Sequence, residues 1–165
     1  MPRATGPLYR VHFRRRREGV TDFSKRIALL KSGKPRLVVR KTNKFVLVQV
    51  VQLSEKGDQT ITSASSKQLS KYGFAGKANT PSAYLTGLLV ARVAVKKGVK
   101  ECVADFGRHA AIRGSLLYAA VKGALEGGLK IPVGGEVFPA QDRLEGKHLK
   151  SPAGFKEATQ KIMAP

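Results

Sequence analysis

Apolar and polar positions recur along this chain with two different periods, and the points where the period changes divide it into elements. From Lys34 to Ser65 the period is two. The runs RLVVRK and KFVLVQVVQL are rich in β-branched residues, which suit a pleated, half-buried surface, and Thr42-Asn43 between them suits a tight hairpin turn. A second turn, SEKGDQ, leads into TITSAS, so three antiparallel strands are predicted. In the middle run both alternating sets are apolar, with Phe45, Leu47, Val51 and Leu53 on one side and Val46, Val48 and Val50 on the other. That pattern predicts a central strand covered on both faces.

On either side of these strands the apolar spacing becomes three and four, which is the spacing of helices. Thr21 or Asp22 caps a short helix carrying Phe23, Ile27 and Leu30, which SGKP stops with Gly33 at its end and Pro35 beyond. Later, Thr80 as cap and Pro81 as first helical residue open SAYLTGLLVARVAVKKG. Leu85, Leu88, Leu89, Val93 and Val95 give this helix a broad apolar face, Gly87 permits close approach to the sheet, and Gly98 ends it. KECVADF reads as a strand, GRHAAIRG as a loop, and LLYAAVKGALEGG as a helix capped by Ser115. Strand, helix, strand, helix in that order requires a parallel crossover, and a short strand near KIPV closes the sheet. The predicted fold class is therefore α/β, a three-layer mixed sheet of three antiparallel strands followed by αβα(β). Residues 1–20 form an extended arm without periodicity, 21–138 the body, and 139–165 a tail with one short helix from about Gly154 to Met163.

Composition sharpens this picture at one point. A chain of 165 residues makes one domain by length, but 31 Lys plus Arg against 11 Asp plus Glu leave it at +20. Such a surplus makes the folded chain repel itself unless an anion neutralises it, which implies a polyanionic partner. The charge is concentrated toward the N-terminus: residues 1–50 hold 14 basic and 2 acidic side chains, residues 101–165 hold 9 and 7. No apolar run approaches the roughly 20 residues of a membrane span, and Met1 to Tyr9 lead into arginines and not into the apolar core of a signal peptide. A cytosolic protein without a membrane partner is expected. The single cysteine, Cys102, lies in a strand-like run and reads as a small buried apolar side chain.

The candidate chemistry is accordingly cationic. Arg14, Arg15, Arg16 and Arg17, with Arg10 before them and no interleaved acid, exceed what solubility needs. A planar guanidinium holds a phosphate bidentately or stacks on an unpaired base, which a lysine does not. Lys25 and Arg26 continue this track into the first helix. A second cluster, Lys34, Arg36, Arg40, Lys41 and Lys44, surrounds the first hairpin, with Arg36 and Arg40 on one side of their strand and Val38 between them. A third, Arg108 and Arg113 with His109, sits in the loop after the parallel strand, where open α/β sheets bind ligands. Helical spacing assigns Tyr84 and Tyr118 to the core. An enzyme is not indicated: Asp58, Asp105 and Glu126 do not form the convergent carboxylates of two-metal chemistry, and there is no phosphate-binding glycine loop. No metal, cofactor or small-molecule substrate is implied. Charge alone leaves open a DNA-binding architectural protein, because phosphate contacts do not identify the sugar.

Five stretches carry a resemblance: VHFRRRREGVTDFSKR, GKPRLVVRKTNKFVLVQVV, KYG, NTPSAYLTGLLVARVAVKKG and GSLLYAAVKGALEGGLKIP. Over about residues 6–150 the chain resembles the archaeal and eukaryotic type of the universal large-subunit ribosomal protein family number eighteen in the bacterial series, whose members bind 5S rRNA. The resemblance implies a ribonuclease H-like arrangement, a place in the central protuberance, and 5S rRNA, large-subunit rRNA and neighbouring large-subunit proteins as partners. GRHAAIRG is more basic than the family pattern, so the contacts of Arg108 and Arg113 do not carry over position by position.

Overall fold

The computed structural model describes residues 6–149 and 154–164, so the first five residues of the arm and residues 150–153 and 165 of the tail lie outside the described residues. Strands β1 (Arg36–Lys41), β2 (Val46–Ser54), β3 (Gly57–Ser65) and β4 (Val103–Asp105) form one mixed sheet in the order β3-β2-β1-β4. The first three are antiparallel neighbours, and β4 runs parallel to β1. The strand expected near KIPV is reduced to a single parallel bridge, Glu101 to Lys130. The first hairpin turn centres on Asn43-Lys44, with the Thr42 amide donating to the Phe45 carbonyl.

One sheet face is closed by two helices, α3 (Thr80–Lys96) and α4 (Leu116–Glu126). Leu37, Val39, Val46, Val48 and Val50 reach zero exposure beneath them. The α3 cap is Asn79, whose side chain accepts from the Ser82 amide, one residue before the Thr80 expected. Its buried face is built from Ala83, Tyr84, Leu85, Leu88, Val90, Ala91 and Ala94, while Val93 and Val95 remain 37% and 39% exposed. Gly87 does not serve the sheet. A Cβ there would sit 2.0 Å from the Ala120 carbonyl oxygen of α4, and one on Gly123 would sit 2.1 Å from the Tyr84 carbonyl oxygen. These two glycines let α3 and α4 cross with their backbones in contact, an approach no side chain permits. Cys102 is fully buried, and burial pushes its thiol up to about 11, as suits an inert core residue.

The tail packs behind α3. Helices α5 (Gln141–Glu145) and α6 (Phe155–Met163) insert Leu144, Ala158 and Ile162 into the same core, and the Phe155 ring lies 5.6 Å from that of Tyr84. No described helix is long and apolar enough to cross a membrane.

The other sheet face is only partly covered. Although β2 is central as expected, Leu47 and Gln49 are half-buried and Leu53 is 51% exposed, because the element above this face, α2 (Phe23–Leu30), is short and buries no residue completely. Asp22 caps it, accepting from the Lys25 amide. The stripe expected to seal it leaves Phe23 37% and Ile27 55% exposed.

The helix crossing yields a direct test. Alanine favours a helix interior over glycine by about 1 kcal/mol, yet Gly123→Ala should destabilise the protein by about 3 kcal/mol because the new methyl meets backbone on the facing helix. Gly134→Ala, with nothing within 4 Å, should stay within about 0.5 kcal/mol of wild type. Urea denaturation of the two variants checks this, and equal midpoints would contradict the backbone contact.

Candidate nucleic-acid interface

The partly covered face carries the charge. Arg36, Val38 and Arg40 alternate onto it from β1, opposite Val51, Gln49 and Leu47 of β2. Arg36 stands apart from the other cations of the sequence-based set. It is 3% exposed, and two carboxylates enclose it: Nη1 donates to Asp105 Oδ2 at 2.8 Å, and Nη2 lies 2.8 Å from Asp58 Oδ2. Asp105 arrives from the end of β4, paired with Val38. Asp58 lies two strands away on β3 and reaches this face through a local irregularity. The register of β2 with β3 slips between Val50 and Val51, leaving Ile61 as an extra residue. A one-residue insertion reverses the alternation beyond it, so Thr62 and Ala64 turn into the core while Asp58 turns to the opposite side.

Two further arginines attach to these carboxylates. Arg26 of α2 donates to Asp58 Oδ2 at 2.6 Å, which ties the helix to the sheet. Arg40 donates from Nη2 to Asp105 Oδ1 at 3.1 Å and from Nη1 to the Asp105 carbonyl at 2.7 Å. The Gly107 amide donates to the same Oδ1 at 2.8 Å. Burial pushes both carboxyls up, but the arginines, joined at Asp105 by the Gly107 amide, outweigh it and hold both below the ordinary 3.8. Three cations and two anions leave the network at +1, carried on its outer members.

Between α2 and the loop after β4 runs a groove of about 1010 Å³, lined by Arg15, Lys25, Arg26, Arg40, Arg108 and His109. It gathers residues from the arm, the helix, β1 and the loop. The arm folds toward it through one helical turn, α1 (Arg14–Arg17), where an extended segment was expected. The Phe13 carbonyl accepts from the amides of Arg16 and Arg17, Arg14 pairs with Glu18 at 3.2 Å, and Arg15 Nε donates to Thr21 Oγ1 at 2.8 Å. All four arginines stay exposed. A smaller notch of about 510 Å³ combines Arg16, Lys25 and Arg108 with the uncovered Phe23 and Ile27.

The remaining sequence candidates lie elsewhere. Lys34 pairs with Glu101 at 2.6 Å, Lys41 ends β1 and Lys44 sits in the exposed hairpin turn, and Arg10, Arg17 and Arg113 are exposed outside the groove lining. Tyr84 is buried, its hydroxyl donating to Glu126. Tyr118 is half-buried, with its ring edge-on to Phe106 at 5.2 Å. Sequence reasoning missed Asp105 as the organiser of the cations. The signal was present in Arg36 and Arg40, four residues apart with Val38 midway between them, which required a counter-charge if that face were covered. Among the described residues no group of three or more His, Cys, Asp or Glu side chains is placed to hold a metal.

Comparison with known proteins gives this basic α/β domain its class. Residues 8–101 match the family described as ribosomal large subunit proteins 60S L5 and 50S L18. The large ribosomal subunit protein uL18 of Methanoregula boonei is 50% identical over 147 residues, covering 88% of this chain and 84% of that protein. Its counterpart in Korarchaeum cryptofilum is 51% identical over 144 residues, covering 87% and 74%. That of Thermofilum pendens is 50% identical over 147 residues, covering 88% and 75%. The chain belongs to this family of large-subunit ribosomal proteins, of archaeal type. It is a structural protein of the large ribosomal subunit and not an enzyme.

The network predicts a dependence on acid and on Asp105. Carboxyls held below 3.8 in the folded state contribute stability that is complete above that value and is lost as pH falls through their lower folded values. The melting temperature should therefore hold from neutral pH to about 4 and fall below it. Asp105→Ala, which leaves the buried Arg36 guanidinium with Asp58 alone, should cost about 3 kcal/mol at pH 7. Thermal unfolding across a pH series measures both, and a stable Asp105→Ala protein would show that the pair is dispensable.

Proposed function

We propose that this chain binds 5S rRNA and helps anchor it in the central protuberance of the large ribosomal subunit, next to large-subunit rRNA and neighbouring ribosomal proteins. The observation that carries this reading is the convergence of cations from four separate segments on one groove, with the carboxylates of Asp105 and Asp58 already matched by Arg36 and Arg26. A groove so lined attracts a phosphate backbone by releasing condensed counterions. The exposed Phe23 and Ile27 beside Arg16, Lys25 and Arg108 suit the mixed apolar and charged surface of a folded RNA, whose unpaired bases are available to stack. The strand order β3-β2-β1-β4, continued by the parallel bridge at Lys130, supports a ribonuclease H-like arrangement used as a scaffold for binding. The RNA-contacting set we assign is Arg10, Arg14, Arg15, Arg16, Arg17, Lys25, Arg26, Lys34, Arg40, Lys41, Lys44, Arg108 and Arg113.

The deciding experiment is direct binding to 5S rRNA across a salt series, with duplex DNA and an unrelated structured RNA as competitors. Preference for 5S rRNA at physiological salt is the expected result, and equal competition by all three polyanions would overturn it in favour of a merely basic protein. Replacing Arg14, Arg15, Arg16 and Arg17 with alanine should leave the melting temperature almost unchanged, since α1 buries nothing. The same change should weaken binding and flatten its salt dependence by up to about four phosphate equivalents. Loss of stability with unchanged affinity would show that the run is structural.

A further inference from the structure

Arg40 differs from every other groove cation in how it is held. Its Nη1 donates to the carbonyls of Asp105 and Val39, at 2.7 and 3.0 Å, and its Nη2 donates to Asp105 Oδ1 at 3.1 Å. The Nη1–Nη2 end of the plane is thus committed inward. A guanidinium has five N–H bonds; the two left over, on Nε and Nη2, share one edge, and among the described residues nothing accepts from them. The side chain is 37% exposed and lines the groove. Asp105 is itself immobilised, 5% exposed and held by Arg36 and the Gly107 amide as well. Gly107, at φ +60°, lies flat against the guanidinium: a Cβ there would come 3.0 Å from Arg40 Cζ and 3.1 Å from Nη2.

We propose that Asp105 and Gly107 are positioning residues that clamp the end of Arg40, so that its Nε–Nη2 edge faces the groove as a fixed two-pronged donor for one phosphodiester of the bound RNA. The inference rests on the reading of the groove as an RNA site and adds to it a division of labour. A long side chain free in solvent must be ordered when it binds, whereas this one is ordered beforehand. Paired N–H donors match the two non-bridging oxygens of a phosphate, a geometry an ammonium does not reproduce. Arg36 matches the charge of Asp105, so the clamp does not cancel the attraction of Arg40 for an anion. Phosphate is favoured over a base edge because the cations around it form a track suited to a backbone.

The test uses the full chain and 5S rRNA, in wild type, Arg40→Lys, Arg40→Ala, Gly107→Ala and the Arg40→Ala/Gly107→Ala double variant, with melting curves for each. Arg40→Lys keeps the charge and should bind about tenfold more weakly with an unchanged salt slope. Arg40→Ala should lose at least as much and lower the slope by about one. Gly107→Ala should resemble Arg40→Ala in affinity, and the double variant should lose nothing further, because both changes act on one contact. Binding by Arg40→Lys equal to wild type overturns the fork, and this variant decides the matter if Gly107→Ala does not fold. Additive losses would show that Gly107 acts on the fold and not through Arg40. A phosphate contact carries no base identity, so a loss in Arg40→Lys that differs among base substitutions made within one RNA fold would overturn the assignment to phosphate. If wild type shows no preference for 5S rRNA, the 5S reading fails alone, and the fork is judged on whichever RNA is bound. If wild type holds no RNA, both fall.

Discussion

The pairing of Arg36 with Asp105 and Asp58 is the interaction on which the functional face depends. A guanidinium 3% exposed in the middle of a sheet is tolerated only with its charge matched, and the two carboxylates that match it come from strands at opposite edges of the sheet. Helix α2 and the loop after β4, which lie above that face, are each fastened to one of them. Arg26 ties α2 to Asp58, while the Gly107 amide and Arg40 tie the loop after β4 to Asp105. Buried ion pairs are weak sources of net stability, because desolvation offsets much of the attraction. What this one contributes is register: a one-residue slip of β1 would drive Arg36 into the apolar face, and a β3 without its extra residue would carry Asp58 away from it.

The opposite face explains how the charged one can stay open. There the sheet is sealed by α3 and α4, whose glycines let their backbones touch, and by a tail that adds Leu144 and Ile162 to the same core. That core is complete without α2. Helix α2 is therefore free to remain shallow, tied to the sheet by the Arg26–Asp58 ion pair, with Phe23 and Ile27 uncovered. The fold thus separates a half that supplies stability from a half that presents charge.

How much of this was legible in the sequence follows the same division. Strands and helices were readable because their apolar spacing is local, and Cys102, Tyr84 and the α2 cap fell where spacing and residue type placed them. What was not legible depends on contacts distant in sequence. Gly87 was read against the sheet, but its partner is Ala120 on a helix 33 residues on. The β2 pattern was read as covered twice, though the covering helix is too short to do it. Arg36 and Arg40 carry the same sign on the same side of β1, and only the arrival of Asp58 and Asp105 makes one structural and leaves the other facing the groove. A local pattern says which face a residue occupies, and the tertiary partner says whether it is available.

The groove and the arm then differ in what they can contribute to recognition. Contacts to phosphate carry no sequence information, so the four exposed arginines of α1 supply attraction that any polyanion satisfies. Cations fixed to the sheet behave otherwise, because their spacing is set by the fold: Arg40 through Asp105, and Arg26 through Asp58. A rigid set of donors matches only a backbone that brings its phosphates to the same spacing, which is a property of a folded RNA's shape and not of its charge. On the proposed reading, selectivity for one structured RNA therefore resides in the two carboxylates, Asp105 and Asp58, that hold the arginines still, and the excess of positive charge on the arm serves affinity alone.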